Sequence, residues 1–175
     1  MSLDSTEVSS IMIPNVIVDT EDDRINGACK IMDDNKVGCV IIVSAKEREK
    51  PIGIFTESDV VRTIGKINIW LSKKPVEDLI PKLGNVMSKP VTTILQTSSV
   101  KSAMQIMSDK NIRRLVVVDK NQKMVGIITI KDILKFVNGS VELIADFYGP
   151  SFPVKSAEMF ERFTEYKFDN SSPQL

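Results

Sequence analysis

Gly53-Ile54-Phe55-Thr56-Glu57-Ser58-Asp59 and Gly126-Ile127-Ile128-Thr129-Ile130-Lys131-Asp132 follow one plan: Gly, two apolar residues, Thr, and an Asp three residues later. In each, an apolar run ends at the Thr and a helical pattern begins directly after it. The likeness extends outward. A shift of 75 positions lays Met12 on Met87, Val16 on Val91, Ala28 on Ala103, Ile31-Met32 on Ile106-Met107 and Val43 on Val118. Two residues then drop out, and the Gly-to-Asp segments coincide. The chain is an internal duplication, and its best-kept polar positions are a Thr and an Asp.

Each copy reads as strand, helix, strand, strand, helix. In the second copy Pro90 to Ile94 is a short β-type run with Pro at its edge. Ser98 or Ser99 is placed to cap a helix whose apolar positions are Val100, Ala103, Met104, Ile106 and Met107. Leu115-Val116-Val117-Val118 suits a strand buried on both faces. Asp119 to Gln122 supplies a turn, Val125 to Thr129 returns as the hairpin partner, and a last helix closes at Gly139. The first copy predicts strands near Val16 to Val18, Cys39 to Val43 and Ile52 to Phe55. Its helices fall near Ile25 to Asp34 and Glu57 to Ile64. Its longer hairpin loop, Ser44 to Lys50, is charged and reads as a solvated tip. The expected fold class is α+β, with repeats at 8–66 and 86–139, a linker at 67–85 and an extension at 140–175. Trp70 in the linker is expected to pack on the core or a partner chain. A helix from Ser156 to Tyr166 is expected in the extension.

Apolar residues make up 42% of the 175, a proportion suited to a globular core. Lys plus Arg equals Asp plus Glu at 23 each, so no overall field steers the chain to nucleic acid. Between Val76 and Gly139, however, ten basic residues face five acidic ones. No histidine is present, which removes the commonest general base and transition-metal ligand. Cys29 and Cys39 lack metal or disulfide spacing and read as buried free thiols of a reducing compartment. No apolar run approaches 18 residues and no leader is visible, so a cytoplasmic, soluble protein without membrane contact is expected.

Thr-x-x-Asp admits two explanations. Thr can cap the helix while Asp answers the helix dipole. Alternatively the carboxylate faces a cleft and accepts two hydrogen bonds from a vicinal diol, such as the 2′ and 3′ hydroxyls of a ribose. Retention of both residues in both copies favours a ligand site, because several other residue types cap equally well.

The duplicated Gly-h-h-Thr-x-x-Asp segments, the leads Ile11-Met12 and Val86-Met87, and the run Arg113 to Asp119 resemble a tandem pair of cystathionine β-synthase (CBS) domains, a Bateman module. The resemblance covers roughly residues 8 to 139. It implies two repeats about a pseudo-twofold axis, with clefts that bind AMP, ADP, ATP or S-adenosylmethionine. It also implies a regulatory role, a homodimer and an unidentified regulated protein. On this pattern Thr129 and Asp132 hold a ribose whose adenine lies by Val16, Ile17, Val37 and Gly38. Thr56 and Asp59 do the same against Val91, Thr92 and Ile112. Arg113, Arg114 and Lys131 meet the phosphates. The first copy has Gly38, Cys39 and Ser58 at those basic positions, so unequal sites are expected, with the Asp132 site better for a phosphorylated ligand.

Two other functions compete with this one. The basic second repeat could bind nucleic acid, which zero net charge and the lack of an aromatic-rich basic stretch disfavour. The pair could be a dimerisation scaffold with vestigial sites. Enzymatic activity is not expected, since Cys39 has no general base in the sequence to activate it.

Overall fold

The computed structural model describes residues 2–66 and 79–139. Two three-stranded sheets carry the fold. The first holds β1 (Val18–Thr20), β2 (Cys39–Val43) and β3 (Pro51–Thr56), with α1 (Ile25–Asp34) between β1 and β2 and α2 (Glu57–Ile64) after β3. A short α3 (Leu83–Val86) leads into the second, which holds β4 (Thr93–Leu95), β5 (Arg114–Val118) and β6 (Met124–Thr129), with α4 (Val100–Asp109) and α5 (Ile130–Asn138). In both, the first strand pairs parallel and the third antiparallel to the central one. The architecture is the α+β duplication expected from the sequence.

The central strands explain the apolar runs. Successive side chains of a strand point to opposite faces. Val40 and Ile42 turn toward the core under α1, while Ile41 turns the other way. In β5, Leu115 and Val117 face the core under α4 and α5, and Val116 and Val118 face opposite. Ile41, Val116, Val118 and Ile127 meet in a third cluster that joins the two sheets. Both faces of each central strand are therefore covered, and neither alternates with polar residues.

The leads are exchanged between the halves. Val8, at the start of the chain, is fully buried in the second repeat's core, and Leu83 is fully buried in the first repeat's core. The Ile13 N–H donates to the Ile127 carbonyl at 2.8 Å and the Ile127 N–H returns the bond at 2.9 Å. Ile54 and Ser88 make the corresponding pair at 3.0 and 2.9 Å. The glycines of the repeated segment serve this exchange. A Cβ on Gly126 would lie 2.7 Å from Met12 Sδ and 3.0 Å from the Ile13 carbonyl oxygen; on Gly53 it would lie 2.3 Å from Met87 Sδ. Each glycine thus makes room for the other repeat's lead.

Several details depart from the sequence expectations. The first strand of each repeat begins later, at Val18 and Thr93, because Ile17 and Thr92 each contribute only one carbonyl bond to the central strand. Lys89-Pro90 is a cis peptide in the segment that had been expected to start a strand. The Ser44–Lys50 loop is exposed but not merely solvated: the Met124 N–H donates to the Glu49 carbonyl at 3.0 Å, and Lys123 pairs with the Glu49 carboxylate. Cys29 and Cys39 are half-buried rather than fully enclosed. Gly139 ends α5 with a right-handed backbone, φ −78°, so its conformational freedom is not used. Trp70, most of the expected linker and the expected helix at 156–166 lie outside the described residues. No described helix is long and apolar enough to cross a membrane.

After β1, two carboxylates share one turn. The Thr20 N–H reaches Asp19 Oδ1 and Asp23 Oδ2, both at 3.0 Å, and Thr20 Oγ1 donates to Asp23 Oδ2 at 2.6 Å. Burial, and then hydrogen bonding with Asp23, pushes Asp19 up to about 6, while the bonds from Asp19 and Thr20 bring Asp23 down to about 2. One proton is thus held between them in mild acid.

Two stability effects follow. Gly126→Ala is expected to destabilise the fold by about 1–3 kcal/mol in urea denaturation, since the Ile13 backbone cannot give way as a Met side chain can. Asp19, with its raised pKa, contributes stability that is complete below pH 3.8 and lost as pH rises through about 6. Partial exposure limits that loss to about 1 kcal/mol. Asp19→Asn, compared with wild type by thermal melting between pH 4 and 7, is expected to flatten this part of the profile.

Candidate functional site

A strand that ends at Thr and a helix that starts one residue later present side-chain oxygens to the open N–H groups of the first helical turn. Both copies build a full capping box from this. Thr56 Oγ1 accepts from the Asp59 N–H at 3.4 Å, and Asp59 Oδ2 accepts from the Thr56 N–H at 2.9 Å and from Thr56 Oγ1 at 2.7 Å. Thr129 and Asp132 repeat these bonds at 3.3, 2.9 and 2.6 Å. Capping therefore uses Oδ2 of each Asp and leaves Oδ1 to the surroundings.

The surroundings differ. Asp59 is 1% exposed. Its Oδ1 accepts from Arg62 Nη2 at 2.8 Å and from Ser88 Oγ at 3.0 Å, so the carboxylate is saturated by the chain itself. Asp132 is only half-buried, and among the described residues its Oδ1 accepts no hydrogen bond. The duplication accounts for the contrast. Lys135 stands where the first copy has Arg62, and Ile13 stands where the second has Ser88.

Two cavities lie between the repeats. One, of about 520 Å³, is lined by Val16, Ile17, Val37, Gly38, Thr129, Lys131 and Asp132, the residues expected to form the second-repeat site. The other, of about 490 Å³, is lined by Thr56, Ser58, Val91, Thr92 and Ile112. Asp59 lines neither, because Arg62 and Ser88 cover it. Arg113 and Arg114 line both, so the arginines expected at one site stand in the wall between two. Neither forms an ion pair among the described residues.

Sequence reasoning missed Lys36, Lys135 and Glu57 at the larger cavity and Arg62, Ser88 and Asn111 at the other. A signal existed for some of them. Arg62 and Lys135 sit three residues past each Asp, one helical turn on, where a side chain shares its face. Lys36 and Asn111 occupy equivalent turns with φ of 53° and 50°. Glu57 had no such signal, since its counterpart is Ile130.

A bare Gly38 lets charged groups crowd the larger cavity. A Cβ there would lie 2.8 Å from Arg114 Nη2 and 2.9 Å from Glu57 Oε2. Cys39, beside them, has its thiol pushed up by burial against the opposing pull of Arg114. Burial likewise raises Cys29. Both thiols stay protonated at neutral pH, the unreactive form. No cluster of acidic or thiol side chains among the described residues suits a metal ion.

Comparison with known proteins gives these cavities a context. The CBS domain family model matches residues 8–66 and 83–139. An uncharacterized protein of Methanopyrus kandleri is 39% identical over 104 residues, which cover 59% of this chain and 48% of the relative, so the chain spans about half that protein's length. The crystal structure of the CBS domain pair of protein MJ0100 in complex with 5′-methylthioadenosine and S-adenosyl-L-methionine superposes with a TM-score of 0.65 at 25% identity, covering 77% of this chain and 97% of that one. A CBS domain protein of Pyrobaculum aerophilum complexed with AMP has the same fold, with a TM-score of 0.63 at 24% identity over 77% and 99% of the two chains. With two matched segments, two like sheets and an exchanged pair of leads, the chain belongs to the CBS domain family and carries the domain as a tandem pair.

Proposed function

We propose that this chain is a regulatory module that binds an adenine nucleotide in the cleft beside Asp132. The observation that carries the proposal is that Asp132 Oδ1 accepts no hydrogen bond among the described residues, at a cavity lined by both apolar and basic side chains. A ribose diol would donate to Oδ1, and the base would lie against Val16, Ile17, Val37 and Gly38. The phosphates would meet Arg113, Arg114 and Lys131, with Lys36 and Lys135 also lining the cavity. The relative crystallised with S-adenosyl-L-methionine and 5′-methylthioadenosine supports an adenosine-type ligand. The basic lining favours AMP, ADP or ATP over an uncharged nucleoside. The cavity is of a size usual for small-molecule sites, about 300–1,000 Å³.

A signalling rather than catalytic role agrees with the family, with the missing histidine and with the protonated thiols. Arg113, Arg114 and Lys131 line the clefts between the repeats, which favours a small anion over nucleic acid as their partner. Val61 and Ile64, 73% and 60% exposed on α2, support pairing with a second copy through the helices. Ligand would then act by binding one arrangement of the halves better than another.

Calorimetric titration of AMP, ADP and ATP tests the site. Asp132→Ala is expected to weaken the best of them by about tenfold to a hundredfold, the worth of one hydrogen bond to a charged group. Asp59→Ala, at an already saturated carboxylate, is expected to lower stability while leaving that affinity unchanged. Equal nucleotide affinity in wild type and Asp132→Ala would refute the assignment.

A further inference from the structure

The cavity on the Asp59 side offers a ligand different chemistry from its twin. A diol needs an acceptor with free lone pairs, and Asp59 has none: Thr56 fills Oδ2, while Arg62 and Ser88 fill Oδ1. What remains is cationic. Arg62, Arg113 and Arg114 line the space together with the hydroxyl-bearing Thr56, Ser58 and Thr92, against the single carboxylate of Glu57. Arg113 and Arg114 have no ion-pair partner among the described residues. Arg62 bonds Asp59 through Nη2, and its side chain remains 54% exposed. A guanidinium presents five N–H donors, so that bond leaves donors over for an anion.

We infer that the Asp59-side cleft is a site for a small phosphate-class oxyanion that carries no ribose, with Arg62 and Ser88 as the residues that exclude ribosides. Both stand at positions where the duplicated copy has residues that leave the carboxylate open, Lys135 and Ile13. The two substitutions act together: one adds a guanidinium to the cleft while covering the acid, and the other supplies the hydroxyl that completes the cover. The oxyanion assignment does not require the Asp132 cleft to hold a nucleotide. The exclusion of ribosides rests on that reading.

Inorganic pyrophosphate is a suitable probe, titrated calorimetrically into wild type, Arg62→Gln and Lys120→Gln. Arg62 lines only this one of the two clefts, and Lys120, an exposed turn residue, lines neither. Binding to wild type is expected, weakened about tenfold or more by Arg62→Gln and changed less than about twofold by Lys120→Gln. No binding to wild type, or an equal loss in both variants, overturns the assignment. AMP then tests the exclusion. Wild type is expected to take about one AMP per chain, and Arg62→Lys/Ser88→Ile, which copies the other cleft, about two. Two AMP per wild-type chain, or no gain in the double variant, overturns the exclusion. If AMP fails to bind either protein while pyrophosphate still depends on Arg62, the nucleotide reading of the Asp132 cleft fails and the oxyanion site stands.

Discussion

The exchange of lead segments holds the rest of the structure in place. Each lead adds a buried side chain, Val8 or Leu83, to the other repeat's core and a pair of backbone bonds to the other repeat's third strand. Met12 and Met87 then lie over Gly126 and Gly53, where any side chain would push them off. The third strand of each repeat ends in the Thr that starts the helix carrying the Asp. The lead thus fixes the strand, the strand fixes the capping box, and the capping box fixes one oxygen of the carboxylate. The clefts lie where these two crossed assemblies face each other.

Within that near-symmetric frame the two halves diverge at few positions, yet the divergence decides their chemistry. The same capping box leaves Oδ1 available at Asp132 and fully bonded at Asp59. Hydrogen bonds already formed must be broken before a ligand can replace them, so a saturated carboxylate contributes little to recognition. Conversely, Arg113 and Arg114, at the start of β5, line both cavities and form no ion pair among the described residues, so their charge is available to a bound anion. Asymmetry was expected from Gly38, Cys39 and Ser58 in the first copy. The larger cause is the pair Arg62 and Ser88.

The fold was legible because duplication made each pattern appear twice. The all-apolar central strands, the helical spacing around Ala28 and Ala103, and the Thr that separates strand from helix all stand where the sequence put them. Less legible was anything set by contacts between repeats. The role of the repeated glycines is one example, because nothing in a linear reading brings Met12 to Gly126. Val16, Ile17, Val91 and Thr92 were expected both in strands and beside the ligand; they line the cavities, but from positions just before the strands begin. The Thr-Asp pairs were recognised as both caps and candidate ligands. Whether an oxygen remained free depended on Arg62, one turn along the helix, and on Ser88, which is distant in sequence and belongs to the other copy.

A chain whose opening turn completes its second half, and whose middle completes its first, resembles two hands clasped rather than two beads on a string. Division between residues 66 and 79 would give neither piece a whole interior: one would lack Leu83 and Met87, the other Val8 and Met12. Each fragment would expose, as bare apolar surface, the seat its counterpart was shaped to fill. Neither half has a self-sufficient interior, so in this chain the tandem pair, not the single repeat, is the unit that closes its own core.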